Sequence, residues 1–167
     1  MRMRPAKGSP MAAGGSNHDG GRGAGRNRNG TALPAKLIFT ISSNHDAQIG
    51  AQEQILNRVE KAGFTGREFF AIKLALEEAL VNAIRHGNRL DPAKHVRIEA
   101  RITSKKVEFL IEDEGPGFDR KCVPDPTADE NLEKCSGRGI LLIESYMSRV
   151  WWDRGGRRLR MIKEHIE

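Results

Sequence analysis

Three short groups of residues carry the chemistry legible in this chain: Glu78 with Asn82, the run Asp113-x-Gly115-x-Gly117, and Gly137-Arg138-Gly139. An acid and an amide four residues apart share one face of a helix, about one turn apart along its axis, with a turn rising about 5.4 Å. Such a pair either lines a pocket or hydrogen-bonds on a solvated surface for roughly 0.2–0.5 kcal/mol. Glycines two apart let a backbone approach a ligand closely, and an aspartate at a strand end is held well enough to read a hydrogen-bond donor. A plain Gly-Pro turn is the other reading of that run. Glycines that open a helix leave bare N–H groups at the positive end of its dipole, an arrangement that holds phosphate, and Arg138 adds a charge-assisted contact. A hinge before a core helix is the alternative there. Neither of the two common phosphate-loop patterns, Walker A and GxGxxG, matches this box.

Positioning these groups requires regular elements. Thr65 to Asn88 reads TGREFFAIKLALEEALVNAIRHGN. Thr65 followed by Glu68 is a capping box, no proline or glycine interrupts Arg67 to Ile84, and His86-Gly87-Asn88 supplies a stop. The pattern predicts one long, uninterrupted helix. Phe69, Ile72, Leu76, Leu80 and Ala83 gather on one arc, widened by Phe70, Leu74, Val81 and Ile84, so the helix belongs in a core. The remaining strip carries Ala71, Ala75, Glu78, Asn82 and Arg85. Before it, Leu37–Ile41 reads as a strand, and Asn44 and Asp46 are placed to cap a helix from Ala47 to about Ala62, which Gly63 ends. After it, HVRIEARI and KVEFLIED alternate apolar and polar residues around a Ser104-Lys105 turn, which predicts two antiparallel strands with one wet face. The second runs directly into Asp113.

Residues 120–136 read as a long polar loop, and loops of that length are usually functional or mobile; a surface insertion is the other reading. The apolar run Ile140–Met147 predicts a helix immediately after the second glycine group. RVWWDR, Gly155-Gly156 and RRLRMIKEHI read as a closing hairpin, with Trp151, Trp152, Leu159 and Met161 packing in or beside the sheet.

The chain has 167 residues and a formal net charge of +6. Within residues 1–30, Arg2, Arg4, Lys7, Arg22, Arg26 and Arg28 face only Asp19, so five of those six charges lie in a Gly/Arg/Asn-rich arm. That placement argues against a basic DNA-binding face on the folded part. The arm cannot bury apolar surface and is expected to be disordered over residues 1–33, with the folded domain over 34–167. It reads as a solvated extension, or as sequence upstream of a later start at Met3 or Met11; an RNA-binding or membrane-touching arm is the alternative. No secretory signal and no apolar run of membrane-spanning length is present. Cys122 and Cys135 lack metal spacing, and the five histidines form no zinc pattern, so reduced thiols and a cytoplasmic location are expected.

The order of the three groups resembles the GHKL ATPase superfamily. Glu78-x-x-x-Asn82 matches its N box, Asp113-x-Gly115-x-Gly117 its first glycine box, and Gly137-x-Gly139 its second. The short chain, the NAIRHGN ending and the SGRGI box look most like the bacterial anti-sigma-factor serine/threonine kinases, over roughly residues 37–166. The resemblance implies an α+β fold, a two-layer α/β sandwich of the Bergerat type, with a mixed, mostly antiparallel sheet and helices on one face. It further implies ATP and Mg²⁺ as cofactors. Asn82 would coordinate the metal and Glu78 would act as general base toward a seryl or threonyl hydroxyl. Asp113 would accept from the adenine amine, with Gly115 and Gly117 letting the ring lie close. Gly137, Arg138 and Gly139 would cover the phosphates beneath a lid formed by residues 120–136, and Arg85 would be a phosphate-binding cation. The implied partners are a sigma factor and an anti-anti-sigma protein, with a homodimer compatible and no direct DNA or membrane contact. Two rival functions stay open: a detached ATPase module of a histidine kinase, and a non-enzymatic protein that uses ATP only to set its shape.

Overall fold

A computed structural model describes residues 35–118 and 138–165. Their elements run β1 (Ala35–Ser42), α1 (His45–Lys61), α2 (Gly66–Val81) continued by a π-helical turn (Asn82–Gly87), β2 (His95–Ile102), β3 (Lys106–Asp113), α3 (Arg138–Tyr146), β4 (Arg149–Asp153) and β5 (Arg158–Glu164). The strands form a single sheet in the order β1-β2-β3-β5-β4. Every pairing among the described strands is antiparallel, so the α+β, two-layer expectation holds without the mixed pairing.

Alternation sets the faces. Val96, Ile98, Ala100 and Ile102 of β2, with Val107, Phe109 and Ile111 of β3, are buried, while Arg97 and Arg101 point to water. The helices supply Ile55, Val59, Ile72, Leu76 and Leu80 to the same core. Each of these side chains is worth about 1.5–3 kcal/mol when fully buried. On the open face Glu112 pairs with Arg158 at 2.8 Å and Arg154 at 2.7 Å. Partial burial works against the charged carboxylate, but the two guanidiniums prevail and hold its pKa below the ordinary value.

Local signals divide into those that hold and those that fail. Asn44 caps α1, its Oδ1 accepting from the Ala47 N–H at 2.9 Å, and Gly63 follows the helix end with φ of 104°. The capping box at Thr65 does not form: Thr65 makes no side-chain cap bond, and the Glu68 carboxylate instead meets His165 Nδ1 at 2.8 Å, tying the start of α2 to the end of β5. The apolar arc of α2 is also displaced. Phe70 is 55% exposed, whereas Ala71 and Ala75, assigned to the polar strip, are buried. α3 packs on α2, so more than the predicted arc of this helix is covered. Trp151 is 40% exposed rather than packed.

Candidate functional site

The helix carrying Glu78 changes its hydrogen bonding at Asn82. From Asn82 to Gly87 the turn is π-helical, closed by the Asn88 N–H donating to the Ala83 carbonyl at 2.8 Å. Such bulges are rare and cluster at functional sites. His86, four residues beyond Asn82, stays on the stripe of Glu78 and Asn82, while the wider turn rotates Arg85, three residues beyond, away from it. Glu78, Asn82, His86 and Gly87 accordingly line one cavity of about 610 Å³, while Arg85 is exposed and not among its lining residues.

The same cavity is lined by Asp113, Gly117 and Gly139. The segments approach so closely that side chains are excluded. A methyl group built on Gly139 would come 2.5 Å from Glu78 Oε2 and 3.6 Å from Asn82 Nδ2. One built on Gly87 would fall on the Asp113 carboxylate, 2.6 Å from each oxygen, and one on Gly115 would overlap the Gly87 carbonyl. Gly117, with φ of 81°, lies equally tight against the Gly155 carbonyl. The start of α3, the end of α2 and the turn after β3 thus meet around one volume of the size that small-molecule sites occupy, roughly 300–1,000 Å³. Gly137 and the expected lid, residues 120–136, lie outside the described residues; the backbone of Arg138 opens α3.

Asp113 is the half-buried carboxylate of the site. Burial raises its pKa above the ordinary value, opposed by the Gly115 N–H, which donates to Oδ1 at 2.8 Å, and by the Arg157 charge. A carboxylate so placed at the end of β3 has one oxygen engaged locally and the other available to a donor in the cavity. Among the described residues no cluster of three or more His, Cys, Asp or Glu side chains is arranged to hold a metal. Magnesium nevertheless fits the donor set, because it retains waters and phosphate oxygens and asks for few protein ligands. Asn82 lines the cavity and carries the one amide oxygen that such an ion would take.

Three wall residues escaped the sequence reading. Trp152 and Phe118 stand edge to face, centroids 6.3 Å apart, and both line the cavity, as does Arg157. Arg157 and Gly156 arrive through the β4–β5 turn, which is bonded to the Asp113 loop: the Asp113 N–H donates to the Arg157 carbonyl and the Phe118 N–H to the Gly155 carbonyl, each at 3.0 Å. Only the adjacency of β3 and β5 reveals this, and no local motif announces it.

The sequence pattern of the family described as Histidine kinase-like ATPase domain matches residues 42–163. An Anti-sigma F factor from Shouchella clausii is 36% identical over 118 residues, covering 69% of this chain and 80% of that protein. A Serine-protein kinase RsbW from Listeria innocua is 28% identical over 103 residues, covering 57% of this chain and 66% of its own length. Among solved structures, the RsbU and RsbW domains of a Mycobacterium tuberculosis protein share the fold, with a TM-score of 0.54 at 17% identity over 78% of this chain. This chain spans about a third of that one, 32%.

Proposed function

Because the chain belongs to the Histidine kinase-like ATPase domain family and has relatives named as anti-sigma factors and serine-protein kinases, we propose that it is an ATP-dependent serine/threonine kinase acting as an anti-sigma factor. Its substrate would be an anti-anti-sigma protein, its sequestered partner a sigma factor, its location the cytoplasm and its kinase domain residues 34–167. No described helix is long and apolar enough to cross a membrane. The observation that most supports the reading is the contact of Gly139 with Glu78 and Asn82 in the cavity that Asp113 also lines.

In this reading Asp113 accepts a hydrogen bond from the adenine exocyclic amine, and Ile111, Leu159 and Trp152 flank the ring. The backbone around Gly139, at the N-terminal end of α3, faces the phosphates with N–H groups and dipole. Asn82 would hold Mg²⁺ through its amide oxygen, and the ion would supply charge neutralisation at the transferring group. Glu78 takes the proton of the attacking seryl or threonyl hydroxyl as the new O–P bond forms and the bond from the γ-phosphorus to ADP breaks. Arg85, turned out of the cavity lining, is left without a role in these steps.

Incubation with γ-labelled ATP and the anti-anti-sigma protein is expected to place label on that partner's serine or threonine. Label on a histidine of this chain would instead identify a histidine-kinase module, and ATP retained without transfer a non-enzymatic binder.

A pH dependence follows from Asp113. Its raised pKa means that nucleotide affinity, which needs the charged acceptor, should weaken as pH falls through a value above the ordinary 3.8, approaching tenfold per unit. Stability of the free protein should respond with the opposite sign, since burying the neutral form costs less: this group's contribution is largest at low pH and is lost as pH rises through the folded pKa. Labelled-ADP dialysis across the acid range checks the first, and Asp113→Asn should flatten it; the second is read from the difference between the melting curves of the unmodified chain and Asp113→Asn, which isolates this group from the other carboxylates.

A further inference from the structure

Asn88 has no solvent exposure, and both Nδ2 hydrogens and the Oδ1 of its side chain are hydrogen-bonded. Nδ2 donates to Ser43 Oγ and to the His95 carbonyl, both at 2.9 Å, and Oδ1 accepts from the Glu114 N–H at 2.8 Å. Ser43 in turn donates to the Lys94 carbonyl at 2.8 Å. One side chain therefore fastens the end of β1, the start of β2 and the turn after β3 to the end of the π-helical turn. The bond to Glu114 joins the residue after Gly87 to the residue after Asp113, the two positions whose contact leaves no space for a Cβ. Aspartate lacks the donors, serine is too short, and leucine would strand the Glu114 N–H and the His95 carbonyl.

The chain leaves Asn88 through Arg89 and Leu90, with φ of 56° and 57°. Left-handed backbone at non-glycine residues costs about 1–2 kcal/mol each and persists where surroundings over-determine it, typically beside functional sites. Here the determinants are the Asn88 junction and the Leu90 N–H, which donates to the Ile84 carbonyl at 2.9 Å.

We propose that Asn88 is a positioning residue for base selection: it sets where the Asp113 carboxylate stands against Gly87, and thereby which purine edge the cavity accepts. The inference rests on the nucleotide-site reading above. Asp113 is an acceptor, so it favours a base presenting an exocyclic amine, as adenine does, over one presenting a carbonyl at that edge. A site built around such a bond discriminates only while the acceptor is held in place.

The test uses the full chain. ATP, GTP and inorganic triphosphate compete with labelled ADP in equilibrium dialysis, below the melting temperature of each variant. Asn88→Ser is expected to lower the ATP-over-GTP preference about tenfold, the worth of a well-placed hydrogen bond. Competition by inorganic triphosphate should change less than about twofold, because that ligand does not reach Asp113. Ser43→Ala, which removes one acceptor of the amide and spares the Glu114 bond, is expected to give a smaller loss of preference and serves if Asn88→Ser does not fold. A lowered melting temperature with the ATP-over-GTP ratio intact in the folded variant reduces Asn88 to a stabilising residue and overturns the proposal. Absence of any nucleotide binding by the unmodified chain removes the site reading itself, and this inference with it.

Discussion

Glu78→Gln is expected to slow phosphoryl transfer about 10²–10⁴-fold, the usual worth of a positioned general base. Nucleotide affinity should stay within about threefold, because the substitution keeps shape and changes one group that touches neither the base nor the Asp113 loop. The geometry makes the test clean. The Glu78 carboxylate sits at the start of α3, against a residue with no side chain, so the amide replacement meets no new steric demand. Rates of label transfer to the partner's hydroxyl, set beside dialysis with labelled ADP, separate the two quantities. Transfer persisting within tenfold of the unmodified rate would remove Glu78 from the base role.

Gly115→Ala should damage both the fold and the site. Its methyl would overlap the Gly87 carbonyl oxygen and lie 2.5 Å from the carbonyl carbon, so backbone must move. Gly87 cannot retreat easily, with the Asp113 carboxylate on one side and Asn88, held by three side-chain hydrogen bonds, following it. A loss of about 3 kcal/mol is expected, at the upper end for overpacking a tight interior, or roughly 6–12 °C in Tm for a domain of this size. Nucleotide affinity should fall more than about a hundredfold, since a shift of one ångström at Asp113 removes its productive geometry. Gly139→Ala provides the contrast: the methyl meets the end of a flexible carboxylate, so melting should barely change while transfer suffers. Equal melting temperatures for unmodified chain and Gly115→Ala would contradict the packing described for the Asp113 loop.

Much of this was readable in the amino acids, and the reasons differ by element. β2 and β3 were legible because each buries one face, leaving strict alternation from Val96 to Ile102 and from Val107 to Ile111. The N box and the glycine groups were legible because acid, amide and glycine are poor choices for a core and their order is uncommon. The π-helical turn is not, since a local widening of the helix leaves no trace in the apolar spacing of Leu80, Ala83 and Ile84, and it carries Arg85 off the pocket strip that α-helical spacing assigns to it. Trp152 and Arg157 were read as hairpin residues because their place in the cavity depends on β5 lying beside β3. The Asn88 junction spans 45, 26 and 7 residues of sequence in its three side-chain bonds, and no local pattern encodes such distances. At Thr65 the local signal of a capping box is not matched by a side-chain cap bond, and Glu68 meets a partner distant in sequence, His165.

The strand order has one more consequence. Asp113 ends β3, which is hydrogen-bonded along both edges, to β2 and to β5. Interior strands are among the parts of a fold that open last, which steadies the backbone that carries this carboxylate. The template that would read the base is consequently stiff before any ligand arrives, and little conformational entropy remains for binding to remove there. Selectivity among purines should therefore be a property of the resting protein, set when the chain folds.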